Sequence, residues 1–196
     1  MTMYRIRTKC VFLVFLFLTW FSVTASSQEN LANDSGILSD GKLTKEELAA
    51  AMLTAEKDLT SMLKASMSDL EQELESSAIF GPGAWMVLKD RKLKKVTLDE
   101  KSENAPPSAK LQVFRASLRS LARHNKIDAA LIVYPGTITK EGEKQRVIVV
   151  EHEHRLGISG LKLIPLELDQ GDVSFGAAMS QEKSFQIFYD QKKKGV

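Results

Sequence analysis

Thiol chemistry is nearly absent from this chain of 196 residues, whose one cysteine, Cys10, falls within the first 25 positions. Those positions read as a segment lost on export, so the mature chain can form no internal disulfide and offers no thiol nucleophile or ligand. No phosphate-cradling Gly-Lys-Ser/Thr loop and no dinucleotide fingerprint occurs, which removes the common nucleotide-binding signatures. Nor does an internal repeat or low-complexity tract interrupt the sequence. Basic excess is lacking as well. Of 27 Lys and Arg, Arg5, Arg7 and Lys9 lie in the leading segment, which leaves 24 against 25 acidic residues. A mature chain so close to neutral has no bulk electrostatic case for binding nucleic acid or an anionic membrane surface.

What is present begins with the leader. Three cations precede an apolar run from Cys10 to Val23, and small residues follow in Val23-Thr24-Ala25. This is the order of a secretory signal peptide, with cleavage after Ala25 as first choice and after Ser27 as second. An uncleaved anchor is the rival. Fourteen residues at 1.5 Å each span about 21 Å, short of a hydrocarbon core about 30 Å thick, so no stable membrane insertion is expected. A lipid-attachment cysteine would follow the apolar run, whereas Cys10 opens it. The expected location is periplasmic or secreted.

The mature chain of 171 residues suits one domain. Residues 26–43 are polar and aperiodic and read as a flexible arm, within which Asn33-Asp34-Ser35 fits a glycosylation sequon. Residues 44–190 form the expected domain, and 191–196, with Lys192-Lys193-Lys194, a basic solvated tail. Thr44-Lys-Glu-Glu47 is a capping box that opens a long helix to about Ser77. Its expected apolar stripe is Leu48, Met52, Ala55, Leu59, Met62, Leu63, Leu70 and Leu74. Gly81-Pro82-Gly83 ends it.

Two strands, 84–89 and 93–98, follow as a hairpin. Ala105-Pro106-Pro107 then precedes a second helix with Ser108 as its cap. Strands are expected at 129–134, closed by Pro135-Gly136, and at 146–154, 161–164, 173–177 and 185–189. The order α-β-β-α-β-β-β implies an α+β fold with an antiparallel sheet of about five strands.

That element order resembles the profilin-like or roadblock light-chain architecture, which hosts small-molecule sensors, dimerisation modules and adaptors. Over about residues 56–190, the spacing of Phe80-Gly-Pro-Gly-Ala-Trp-Met-Val-Leu88, Ala129-Ala-Leu-Ile-Val133, Val149-Val-Glu-His-Glu-His154, Leu163-Ile-Pro165 and Phe175-Gly176 is similar to a recurring family of small uncharacterised bacterial proteins. That family has no assigned activity, so the resemblance implies no catalytic residue. A signal segment departs from most of its members.

His152-Glu-His154 is the sharpest candidate for chemistry. On a strand the two histidines share a face, near enough to hold one metal, with Glu151 and Glu153 on the other. His124, the only other histidine, could complete a three-histidine site. The competing reading is a polar strand end making cross-strand pairs, with His124 serving the carbonyls at a helix C-terminus.

Asp40-Gly-Lys-Leu-Thr-Lys-Glu-Glu47 looks like half of a calcium loop, but Gly36 and Leu38 stand where acidic ligands belong, and a turn plus capping box explains the same letters. Gly157-Ile-Ser159-Gly160 lacks the second glycine of a nucleophile elbow, since Leu161 occupies its place, and reads as a turn. The expectation is therefore an exported, non-catalytic binding or adaptor protein without cofactor, with an inhibitor, immunity or envelope-interaction role. Its partner is another protein, or a second copy if the first helix leaves apolar surface exposed. The alternatives are a metal-dependent hydrolase using His152 and His154, and a small-ligand sensor.

Overall fold

A computed structural model describes residues 44–169 and 172–189, with the backbone alone at 101. The expected signal with its Ala25 site, the arm at 26–43 and the tail at 191–196 lie outside the described residues. The fold is α+β, built on an antiparallel sheet with a long N-terminal helix and a second helix, in the expected order with additions.

Helix α1 (Lys45–Ser77) begins at the expected capping box: Glu47 N–H donates to Thr44 Oγ1 at 3.1 Å and Thr44 N–H to Glu47 Oε2 at 2.8 Å. It stops where Ala78 turns left-handed at φ 55° and returns its N–H to the Leu74 carbonyl. The buried stripe is Ala51, Ala55, Asp58, Met62, Ser66, Leu70 and Leu74. It is rotated from the expected one in the first half of the helix. Ala51 and Ala55 let the backbone approach the sheet closely, so the larger Leu48 and Met52 are turned outward and Leu59 and Leu63 are only partly covered.

Strands β1 (Gly83–Leu88) and β2 (Leu93–Lys95) form the expected hairpin, with Arg91 at φ 66° in its turn. A short helix α2 (Glu100–Glu103), capped by Asp99, leads to helix α3 (Pro107–Arg123). Pro107 fills the first helical position, where a missing N–H costs nothing, so Pro106 stands at the cap and Ser108 lies inside the first turn.

Strand β3 (Ile127–Lys140) runs through Pro135-Gly136, which was expected to end it. Strand β1 begins opposite Val133, so past that point along β3 the edge is open and a residue without an N–H is tolerated. Gly136 is needed there because a Cβ would lie 2.5 Å from the Val149 side chain. A two-residue turn with Glu141 at φ 53° and Gly142 at φ 87° then reverses the chain into β4 (Glu143–His154).

Strand β5 (Ile158–Asp169) pairs with β4 on one edge and, on the other, with β7 (Met179–Glu182) near its start and β6 (Asp172–Phe175) near its end. The sheet order is β2-β1-β3-β4-β5-β6 with β7 beside β5. Residues 185–189 carry no strand. They form an irregular strap whose Ile187 packs with Phe114, Leu118 and Ala122. Helix α1 covers one sheet face, over Leu131, Val133, Ile148 and Val150, while α3 and the strap cover the other, over Ala130 and Ile132. Central β3 is thus buried on both sides, as its continuous apolar run requires.

Candidate functional site

His152 and His154 do share the α1 face of β4, and the environment gives them different tasks. His154 is buried: its Nδ1 accepts the Leu156 N–H at 3.0 Å, which leaves the proton on Nε2, 3.1 Å from Asp58 Oδ2. Asp58 also accepts Arg91 at 2.5 Å. Both ring nitrogens of His154 are therefore engaged: Nε2, through Asp58 and Arg91, fastens α1 and the β1–β2 turn to the end of β4, while Nδ1 holds the turn that follows β4. Its partner lies on a helix, in place of the expected cross-strand pair.

His152 is half-buried. Burial first, and then the charge of Lys162, hold its pKa below the usual histidine value. The ring lies across Gly160, its register partner on β5, where a Cβ would sit 2.7 Å from His152 Nε2. A glycine inside a strand weakens it unless something must come close, and here the imidazole does. His124 stands apart at the C-cap of α3, its Nδ1 2.8 Å from the Ser120 carbonyl. Among the described residues no three His, Cys, Asp or Glu side chains gather in metal-binding geometry.

The opposite face of β4 carries Glu151 and Glu153, each saturated by donors. Glu153, fully buried, accepts Lys183 Nζ and the N–H groups of Gln186 and Ile187 at 2.8 Å each, and that of Phe188 at 3.1 Å. One carboxylate thereby satisfies the backbone of a strap that has no ladder partner. Glu151 accepts Arg115 at 2.5 Å and the Tyr134 hydroxyl at 2.8 Å. Burial opposes the charge of Glu151, but Arg115 and Tyr134 together hold its pKa below the usual carboxylate value.

Burial and the adjacent Glu151 push the Tyr134 pKa up to about 12. Asp128 takes Lys89 at 2.6 Å, while Arg155 ties the Ile127 and Ala122 carbonyls together and receives the Tyr189 hydroxyl on its own carbonyl. Each of these charged groups joins two elements.

Concavities occur on both sides of α1 among the described residues. One of about 380 Å³ lies by Trp85 and is ringed with charge: Lys95 pairs with Asp69 at 2.8 Å and stacks over Trp85, and Lys110 reaches Glu103 at 3.4 Å. The other, about 340 Å³, is a groove between α1 and strands β4 and β5. Its floor is Leu131, Val150, His152 and Ile158, its helix wall Met52, Glu56, Leu59, Thr60 and Leu63, and Lys162 stands at its outer lip. An apolar floor with few polar groups is the usual composition of a binding cleft, so this groove is the candidate site. At its N-terminal end the wall continues onto exposed Leu48 (46 %), Met52 (55 %) and Leu53 (67 %).

Sequence reasoning missed Asp58, Arg91, Lys183 and the roles of Glu153 and Gly160. A carboxylate at position 58, four residues before buried Met62 and three after buried Ala55, was the available signal for Asp58. Gly157 (φ 92°) makes the β4–β5 turn, but Ile158, Ser159 and Gly160 belong to β5. The long helix leaves apolar surface exposed at its first turns, the condition under which a second copy becomes a candidate partner. No helix among the described residues is long and apolar enough to cross a membrane. Comparison with family models, with curated proteins and with solved structures finds nothing that matches this chain.

Proposed function

We propose that this is an exported, non-catalytic binding protein whose partner is a protein of the periplasm or the extracellular space. The observation that carries the reading is the apolar ridge at the start of α1, where Leu48, Met52 and Leu53 are among the most exposed large apolar side chains of the described residues. Contiguous exposed apolar surface on a monomer marks an interaction site more often than single scattered residues do.

The use of the buried acids supports the same reading. Asp58, Asp128, Glu151 and Glu153 are engaged in holding the helices, the strap and the hairpin turn on the sheet. A role as inhibitor, immunity protein or envelope adaptor suits such a rigid platform.

The test is affinity capture from an envelope fraction with the wild type and a Leu48→Asp/Leu53→Asp variant in parallel. A stoichiometric complex formed by the wild type, and lost in a variant of unchanged melting temperature, supports the reading. A chain that stays monomeric and uncomplexed, or a complex indifferent to both substitutions, contradicts it. A complex containing only this chain replaces the foreign partner with a second copy.

A further inference from the structure

We propose that the groove between α1 and strands β4 and β5 binds a small monoanionic amphiphile, with its alkyl chain over Leu59, Leu63 and Val150 and its head between His152 and Lys162. This goes beyond the protein-partner reading and uses an adjoining surface, which shares Met52 with the apolar ridge while Leu48 and Leu53 lie outside the groove lining.

Size and composition come first. At about 340 Å³ the groove falls within the range of small-molecule sites, about 300–1,000 Å³, and toward its lower end. Its apolar side chains come from four elements: Leu59 and Leu63 from α1, Leu131 from β3, Val150 from β4 and Ile158 from β5. A flexible chain fits such a trough better than a flat ring system does.

Charge decides the head. Lys162 is half-buried at the lip, and its hydrogen bond is to the Ser180 hydroxyl at 3.3 Å, a neutral partner. Beside it the His152 ring lines the groove and makes no hydrogen bond to another side chain among the described residues. Lys162 and Lys183 both oppose a proton on this ring, and of the nearby acids Glu153 favours it.

An anion set at the lip would neutralise Lys162 and accept a hydrogen bond from a protonated His152. Glu56, the charged group contributed by α1, faces the same space and disfavours a second negative charge, which selects a monoanion over a phosphate dianion. Gly160 completes the argument for a built site: a strand position is left without a side chain so that the His152 ring can lie at the groove edge.

Because burial and Lys162 hold the His152 pKa down in the free protein, binding an anion beside it draws in a proton. Affinity therefore rises as pH falls. The probe is decanesulfonate, whose head keeps its single charge throughout, titrated below its micelle concentration and followed by methyl NMR and calorimetry.

The expected result is saturable binding of one molecule per chain that shifts the Leu63 and Val150 methyls and tightens between about pH 8 and about pH 6. It should weaken about tenfold in Lys162→Glu, and its pH dependence should flatten in His152→Gln, both variants melting as the wild type. Absence of saturable binding overturns the proposal, as does equal binding of decanol or decyltrimethylammonium, or an unchanged affinity in Lys162→Glu. Leu48→Asp/Leu53→Asp leaves Leu59, Leu63 and Val150 in place, so lost partner capture with retained decanesulfonate binding in that variant supports both readings. Capture that survives the two substitutions overturns the partner reading alone, and a wild type that captures its partner but shows no saturable decanesulfonate binding overturns the groove alone.

Discussion

Asp58 ties three elements together. It sits in the buried stripe of α1 and receives both Arg91, from the β1–β2 turn, and His154, from the end of β4. Asp58→Ala removes the acceptor of a buried imidazole and of an arginine, which costs about 3 kcal/mol by urea unfolding. Loss of under about 1 kcal/mol would show that His154 and Arg91 find water instead. Each oxygen of Glu153 accepts two of the four donors, so Glu153→Gln sets an amide NH₂ against two of them and should cost about 2–3 kcal/mol while loosening residues 183–188 in hydrogen exchange.

Neither role could be read from the chain alone. A carboxylate on a helix stripe signals a buried partner, but which of many cations it meets is a matter of tertiary geometry. The same limit applies to His152-Glu-His154: alternation gave the shared face, while the ring environments came from α1 and β5.

At the scale of elements, periodicity was legible wherever large apolar residues dominated the pattern. The long helix, the first hairpin and the doubly buried start of β3 were visible for that reason. The stripe of α1 was misplaced in its first half because close packing there is made by alanines, which weigh little in any hydrophobic count. Strand β3 continued past Pro135-Gly136 because the neighbouring edge is vacant, a fact about β1 and not about the residues themselves. The strap at 185–189 looked like a strand because it is aromatic, and it is held instead by Glu153 and by the edge contact of Phe185 with Tyr189.

One element-scale prediction concerns the β4–β5 pair. Gly160→Ala drives a methyl into the His152 ring and should cost about 1–3 kcal/mol, and His152→Ala should recover most of that loss in a double-mutant cycle. Strict additivity of the two changes would mean that the ring moves aside freely. The proposed export makes a second one: the mature chain should begin at Ser26, read by N-terminal sequencing, and a mature chain that retains Met1 would contradict it.

For the molecule as a whole, acid should be the destabilising condition. Glu151 has its pKa held below the usual glutamate value of 4.5, so it contributes stability above that pH, and loses it as pH falls through the folded value. His152, held below 6.5, acts in the same direction over a higher window. Tyr134 acts at the other extreme, since stability present below 10 is lost as pH rises through about 12. Denaturation midpoints measured across pH should therefore fall on both sides, and His152→Gln should flatten the loss that begins near 6.5.

The binding reading is also a whole-molecule statement, because every buried acid serves cohesion and the exposed apolar ridge on α1 is left to meet something else. Its most direct test is a photocrosslinking residue placed at Leu53, and in a second variant at Leu93 on the β1–β2 hairpin, each in the full-length protein expressed in its own host. The account predicts one discrete adduct from position 53, abolished by Leu48→Asp, and none from position 93. No adduct at 53, or the same adducts from both positions, would contradict it.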